Sequence, residues 1–311
     1  MAKWTRREWT KAVLGGLVAS VPAAVRAGSK PPARVDARIG GVVVGVRSAS
    51  LGERPLDEVL QSMKAIGVGY CELSSSHVEP KALSGPQGSR EQLRRWRMNT
   101  PLEEFAAIRA KLDAAGITLV GYRVDLSSDF TDAELERTFV MASALGAPRI
   151  TTASNVSMVP RSVYFAREHR VQMALLNSAE ATPDTLTTPD ELAHALSAAP
   201  PEIGIALDLG AFAAAGHDAI AFLKQHWRRT LVVHLSDRKR DQGRSVAWGE
   251  GDAPIAAVLR LVRDGQWPVP VVVDYAYAGG DAIDEVKRCL AFCREALVAP
   301  RSEIDTSRRG A

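Results

Sequence analysis

Eight short apolar segments rich in β-branched residues recur along the chain, each followed by a helical pattern, and this alternation restricts the fold more than any other feature. The predicted strands are 41–46, 69–73, 118–122, 149–152, 171–176, 203–207, 230–234 and 268–274. Apolar residues at helical spacing follow them, most clearly over 56–66, 102–115 and 132–145. Strands that alternate with helices pair in parallel through helical crossovers. The pattern therefore predicts an α/β fold.

Two architectures have this order of elements, an open doubly wound sheet and a closed (β/α)8 barrel. Eight strands over roughly 260 residues match the usual size of the barrel. The Gly-x-Gly-x-x-Gly turn of the dinucleotide-binding sheets does not follow the first predicted strand. We therefore predict a single (β/α)8 TIM barrel over residues 40–297, after a polar linker at 28–39 and before a disordered tail at 298–311.

The first 27 residues have the three parts of a secretory signal peptide. A basic segment with the adjacent pair Arg6 and Arg7 precedes an apolar run over 12–24, and small residues end at Ala27. The arginine pair is typical of the twin-arginine signal, which implies export by that machinery to the bacterial periplasm or beyond. The alternative is an uncleaved amphipathic helix. No Cys follows the apolar run, so we expect no stable membrane anchor.

The distribution of charge excludes a nucleic-acid partner. The formal net charge is +3, but residues 1–27 contribute +4, so the remainder carries −1 and offers no surface that tracks phosphates. The three cysteines, Cys71, Cys289 and Cys293, are an odd number and are predicted to act as small core hydrophobes.

Polar side chains end or follow several of the predicted strands, where the catalytic groups of a barrel project. They are Glu72, His77, Asn177, Asp208, His234, Asp237, Arg238 and Asp274. A set of Asp208, His234 and Asp274 offers the ligand types that Mn²⁺, Zn²⁺ or Co²⁺ accepts. The alternative for each aspartate is to cap the helix that follows it.

The longest excursion between predicted elements spans residues 75–100 and carries four arginines. A long loop at the carboxyl end of a barrel strand favours a lid or a substrate-binding loop. A solvated surface insertion is the alternative.

Three short elements carry a more specific signal. Residues 205–210 (Ile-Ala-Leu-Asp-Leu-Gly), 234–238 (His-Leu-Ser-Asp-Arg) and 248–255 (Trp-Gly-Glu-Gly-Asp-Ala-Pro-Ile) lie in this order near the end of the chain. They resemble the LDxGH, HxxDR and GEGxxPI elements of the sugar phosphate isomerase/epimerase superfamily, the xylose isomerase-like TIM barrels. The resemblance extends over roughly residues 40–297.

This resemblance implies a divalent metal held by Glu, Asp, His and Glu at strands five to eight, with the two Glu as an acid/base pair. Asp208 and His234 match the second and third ligands, and Asp274 stands in the fourth place. Leu176 replaces the first Glu, and Ala211 replaces the His of LDxGH. Leu can neither bind a metal nor accept a proton, so the two-Glu mechanism cannot operate unchanged.

From the resemblance we expect a weak or absent metal at Asp208, His234 and Asp274. Glu72 and His77 are then candidate acid/base groups beside Asp274. The expected substrate-binding residues are Asn177, Asp237, Arg238 and Arg240.

Two functions remain open at this point. One is an exported isomerase, epimerase or sugar lyase that acts on a small carbohydrate or polyol. The other is a catalytically degenerate barrel that binds a sugar-like ligand or a partner without turnover. Related metal-dependent abasic-site endonucleases are excluded by their richer His/Glu ligand set and by the net charge after residue 27.

Overall fold

The computed structural model describes residues 37–84, 88–153, 156–182 and 184–298. The predicted signal peptide at 1–27, most of the predicted linker and residues 299–311 of the predicted tail lie outside the described residues. Among the described helices, none has the length and apolar character needed to cross a bilayer.

The strands form a closed barrel in which each is parallel to its two neighbours and the first pairs with the last. They are β1 (Val44–Arg47), β2 (Tyr70–Ser74), β3 (Thr118–Arg123), β4 (Arg149–Ala153), β5 (Gln172–Leu176), β6 (Ile203–Asp208), β7 (Thr230–Leu235) and β8 (Val271–Val273). The predicted (β/α)8 TIM barrel is confirmed.

Helices surround the strands. They are α1 (Leu56–Ala65), α2 (Lys81–Ser84), α3 (Arg90–Asn99), α4 (Leu102–Ala114), α5 (Asp132–Leu145), α6 (Val159–Glu168), α7 (Pro189–Ala198), α8 (Leu209–Ala214), α9 (Ala219–His226), α10 (Ile255–Asp264) and α11 (Ala282–Val298). The large hydrophobic core lies between the outer faces of the strands and these helices. Cys71, Cys289 and Cys293 are buried in it with free thiols, as predicted.

Two strands, the first and the last, begin three residues later than predicted. Gly40 and Gly41 have positive φ angles and form a turn before β1, so that strand begins at Val44 instead of residue 41. In the second case, Pro268 and Pro270 lack the amide hydrogen that a strand ladder requires. The last strand consequently begins at Val271.

The inner face of the barrel changes from apolar to polar along the strands. Its apolar part is a small cluster of Val120, Ala174, Ala206, Val232 and Val272. Side chains two positions apart on a strand share a face. The next inward residues on β5, β6 and β7 are therefore Leu176, Asp208 and His234, and Asp274 is the next one directly after β8. An apolar floor thus supports a polar rim at the carboxyl ends of the strands.

The excursion at 75–100 contains α2 and α3 and is docked on the barrel. Glu134 of α5 is fully buried and accepts a hydrogen bond from Arg90 Nη1 at 2.7 Å. Arg97 Nη1 lies 3.5 Å from the same carboxylate, and Arg97 Nε donates to the buried Glu79 at 2.6 Å. Buried ion pairs therefore hold α3 against α5 and against Glu79, which differs from a freely solvated insertion.

Candidate metal site

Three side chains at the ends of β6, β7 and β8 converge at the mouth of the barrel. Asp208, His234 and Asp274 each place one carboxylate oxygen or ring nitrogen within 4.8 Å of the others. His234 and Asp274 are buried, and Asp208 is partly buried. They converge because each follows, two positions later on the same face, an inward apolar residue of three neighbouring strands (Ala206, Val232 and Val272).

Four groups around Asp208 fix its position. Its backbone amide donates to Asn177 Oδ1 at 2.6 Å, and Asn177 Nδ2 donates to the Asp208 carbonyl at 3.2 Å. Its Oδ1 accepts from Ser236 Oγ at 2.6 Å and from the Ala211 amide at 2.7 Å. Asp208 therefore caps α8, as the alternative from the sequence proposed, and also faces the cluster.

Two residues outside the cluster, Glu72 and Thr151, fix the position of His234. Its Nε2 donates to Glu72 Oε1 at 3.1 Å, and Thr151 Oγ1 donates to the same oxygen at 2.7 Å. Both His234 and Glu72 are fully buried. A β-carbon on Gly121 would lie 3.3 Å from Glu72 Oε1, so the absence of a side chain there leaves room for the carboxylate.

This contact orients the ring of His234. With Nε2–H donated to Glu72, Nδ1 faces Asp274, whose Oδ2 lies 3.8 Å away. When one ring nitrogen of a histidine donates its hydrogen to a carboxylate, the other ring nitrogen is free to bind a metal. Glu72 thus lies behind the ligand and has no exposed surface with which to touch a substrate.

Arg47, the last residue of β1, pairs with the third member of the cluster. Its Nη1 donates to Asp274 Oδ2 at 2.7 Å, and the Asp274 side chain is 6% exposed. Asp274 Oδ1 is buried and has no hydrogen-bond partner among the described residues. Burial raises the pKa of Asp274, and the charges of Arg47 and His234 only partly oppose this increase.

Burial and neighbouring charges shift the pKa values of Glu72 and His234 in opposite directions. Burial alone would raise the pKa of Glu72, but the charge of His234 and the hydrogen bonds from His234 and Thr151 lower it to about 2. Burial alone would lower the pKa of His234, but the carboxylates of Glu72, Asp274 and Asp208 raise it above its ordinary value. Without a metal, the imidazolium and Glu72 therefore form a buried ion pair.

The residues present fit a divalent metal. His234 Nδ1 and Asp274 Oδ1 are buried without partners in the described part of the chain, and both residues belong to the cluster. Two carboxylates and an imidazole are ligands of catalytic Zn²⁺ and Mn²⁺ sites, where three protein ligands leave a position for substrate. Leu176, the inward residue at the end of β5, packs against the apolar floor and contributes no ligand.

His77 lies apart from these contacts. It is in the turn after β2, where its Nδ1 is 2.9 Å from Ser48 Oγ. Burial lowers its pKa. The contacts of His77 therefore connect the segment after β1 with the excursion.

Two predicted substrate-binding residues organise the loop between β7 and α10. The buried Asp237 accepts hydrogen bonds from the amides of Gly249, Gly251 and Ala253 at 2.8, 3.1 and 3.1 Å. A β-carbon on Gly251 would lie 2.0 Å from Asp237 Oδ1, so this turn requires glycine. Arg238 Nε donates to the Gly243 carbonyl at 3.0 Å.

The backbone amide of Arg240 donates to Asp252 Oδ2 at 2.9 Å, and the residue is exposed. Arg240 therefore lies on the outer part of the same loop. Asn177, described above, acts on the backbone of Asp208.

The structure adds residues that the sequence analysis did not select. Arg47 ends the first strand, a position that the same search of strand ends would have found. Ser236 lies between two selected residues, and Thr151 lies within β4. No sequence signal distinguishes these hydroxyls, because their role depends on the register of neighbouring strands.

Comparison with known proteins agrees with this architecture. A family model described as xylose isomerase-like TIM barrel matches residues 60–296. A search among curated protein sequences gives no match.

Several solved structures have the same fold at low sequence identity. The IolI protein, solved with a zinc atom bound, is 14% identical, with 83% of this chain and 100% of that chain covered and a TM-score of 0.62. D-psicose 3-epimerase from Clostridium cellulolyticum H10, solved with D-tagatose, is 14% identical over 82% and 99% of the chains, with a TM-score of 0.60. The probable 3-DHS dehydratase AsbF from Bacillus anthracis is 14% identical over 84% and 100%, also with a TM-score of 0.60.

Proposed function

Since this chain belongs to the xylose isomerase-like TIM-barrel family, we propose that it is a metal-dependent isomerase or lyase acting on a carbohydrate or a related polyol. The observation that carries the proposal is the convergence of Asp208, His234 and Asp274 at the mouth, with unpartnered ligand atoms on His234 and Asp274. A divalent ion bound there would polarise a carbonyl or hydroxyl oxygen of the substrate.

The chain itself supplies a proton acceptor. Asp274 Oδ1 has no hydrogen-bond partner among the described residues, and burial raises the pKa of this carboxyl. A raised pKa is the direction that favours a general base. We assign to Asp274, which would also border the metal, the removal of a proton from the carbon next to a substrate carbonyl.

The possible reactions differ in how many proton-transferring groups of the protein they need. Epimerisation needs two groups on opposite faces of the substrate, one to remove the proton and one to return it. Leu176 stands where the second carboxylate is expected, and Glu72 is fully buried behind His234. One carboxylate is sufficient when it returns the carbon proton to the adjacent carbon on the same face, while the hydroxyl proton passes between the two neighbouring substrate oxygens. It is also sufficient when it gives that proton to a neighbouring hydroxyl, which leaves as water. The site therefore favours aldose–ketose isomerisation or elimination over epimerisation.

The compared proteins support parts of this proposal. The bound zinc atom of IolI supports a metal, and the D-tagatose of the epimerase supports a carbohydrate. The dehydratase AsbF supports elimination on this fold. The reaction and the substrate are our proposal for this chain.

A barrel that binds a ligand without turnover is the second candidate. The Arg47 guanidinium on Asp274 Oδ2 already balances one carboxylate of the cluster, and Leu176 removes one ligand. A binding function of this kind needs no proton transfer between the protein and a bound sugar.

One experiment separates the two candidates. Mn²⁺ binding is measured by calorimetry for the wild type, for Asp208→Asn and for the matched control Asp252→Asn. Pentoses, hexoses and hexuronic acids are then incubated with the Mn²⁺-loaded protein in D2O and followed by NMR. We expect binding that Asp208→Asn weakens at least about tenfold, and deuterium exchange at a carbon beside the carbonyl. Metal binding without exchange on any sugar would favour the binding barrel.

We also propose that the protein is exported through residues 1–27. The support is the sequence alone, with Arg6 and Arg7 before an apolar run. Replacing both arginines by lysine should leave uncleaved precursor in the cytoplasm of a bacterial host, detected by fractionation and immunoblotting. Normal export of that variant would contradict a twin-arginine signal.

A further inference from the structure

Three polar residues end three consecutive strands of the barrel. Arg47 ends β1, Ser74 ends β2 and Arg123 ends β3, and β2 lies between the other two strands. In the strand register Arg47 pairs with Glu72, and Arg123 pairs with Ser74. In a closed ring of eight strands, β2 and β3 lie opposite β6 and β7, which carry two of the candidate metal ligands.

Both arginines extend to the mouth of the barrel. Arg47 reaches Asp274 in the metal cluster. Arg123 Nη2 donates to the exposed Asp125 at 2.9 Å. The side chains of Arg47 and Arg123 are 26% and 15% exposed, so both remain accessible to a ligand at the rim.

The three side chains have unused hydrogen-bonding capacity. Within the described ranges, Arg47 Nε, Ser74 Oγ and Arg123 Nη1 are buried without a hydrogen-bond partner. A guanidinium has five donors, and a buried donor without a partner destabilises the folded state. The folded protein therefore carries donors here that an anionic ligand would satisfy.

We propose that Arg47, Ser74 and Arg123 form a subsite for a carboxylate, and that the substrate is consequently a sugar acid. A guanidinium matches a carboxylate in shape and charge, whereas a neutral sugar has no group that needs two arginines. With its carboxylate at β1 to β3, a polyol chain would extend toward Asp208 and His234 on the opposite side. This inference rests on the proposed function, because it names the substrate class for the same site.

The test compares two polyols with the same chain and different ends. Binding of D-gluconate and D-glucitol is measured by calorimetry on the Mn²⁺-loaded wild type, on Arg123→Gln and on a control variant, Arg228→Gln. Arg228 lies before β7, at the other end of the strands, over the ring of Trp227. We expect the wild type to bind gluconate at least about tenfold more tightly than glucitol. Arg123→Gln should lose that preference, and Arg228→Gln should keep it.

Two results would overturn the subsite. One is equal affinity for gluconate and glucitol. The other is an unchanged gluconate preference in folded Arg123→Gln, with folding checked by circular dichroism. Tighter binding of D-glucitol 6-phosphate than of gluconate would replace the sugar acid by a phosphorylated polyol.

The Mn²⁺ titration is recorded separately and tests the proposed function. Gluconate binding is repeated in the presence of a chelator, so that the arginine subsite is also measured without the metal. Failure of the metal site alone leaves the arginine subsite measurable, and failure of the subsite leaves the Mn²⁺ titration unaffected.

Discussion

At the scale of single residues, Leu176 limits the metal site. It is the inward residue at the end of β5, beside the strand that carries Asp208, and it packs on the apolar floor. We predict that Leu176→Glu increases the affinity for Mn²⁺ at least about tenfold, because it adds a carboxylate where the centre has an apolar neighbour. Calorimetric titration of both proteins measures the change.

Leu176→Gln is the matched control, since it has the size of Glu without its charge. It should change the affinity much less. Equal Mn²⁺ affinity in the wild type and in Leu176→Glu would show that the position does not face the ion.

The buried pair of Glu72 and His234 predicts a dependence of stability on pH in the metal-free protein. Folding lowers the pKa of Glu72 to about 2, so its contribution is complete above about 4.5 and is lost as the pH falls toward 2. Folding raises the pKa of His234, so its contribution is complete below about 6.5 and is lost as the pH rises through the folded value.

Glu72→Gln keeps a hydrogen-bond acceptor and removes the charge. Its free energy of unfolding should therefore fall furthest below that of the wild type near pH 5–6, by roughly 3–5 kcal/mol, the usual cost of breaking a buried pair. The difference should decrease toward pH 9. Urea unfolding across this range measures it, and a difference that is constant with pH would contradict the pairing.

At the scale of secondary-structure elements, ion pairs with α5 hold α3 on the barrel. The carboxylate of Glu134 lies within 4.0 Å of three arginines of α3, which are Arg90, Arg94 and Arg97. Glu134→Gln removes the buried counter-ion that these three cations share, and only Arg97 keeps another buried partner, Glu79. We predict that trypsin then cleaves this segment at least about tenfold faster while the barrel stays folded.

Cleavage is followed by mass spectrometry under native conditions. Glu91→Gln is the control, because Glu91 pairs with Arg95 on the exposed face of the same helix. Equal cleavage rates for the two variants would mean that other contacts hold the segment.

At the scale of the whole molecule, the barrel buries all three cysteines of the sequence. Burial raises the pKa of the thiols of Cys71, Cys289 and Cys293. We predict that the native protein does not react with Ellman's reagent and that three thiols react after denaturation. Rapid labelling of a native thiol would show that α11 or β2 opens without global unfolding.

The sequence by itself is sufficient to predict the fold and to identify the residues of the candidate metal site. Alternation of apolar strands and helical patterns is local along the chain, and it predicted eight strands and their closure. Asp208, His234 and Asp274 were identifiable because polar residues directly after apolar strands are unusual. Their position at strand ends then implied convergence, since parallel strands end on one side of a barrel.

Only the tertiary structure decided what each polar residue does. Glu72 resembles a catalytic acid in sequence, yet strand register places it behind His234 as a hydrogen-bond acceptor. Asp237 resembles a substrate ligand, yet the path of its loop directs three backbone amides to it. A side chain's role depends on which groups surround it and whether solvent reaches it, and both follow from contacts between residues far apart in the chain.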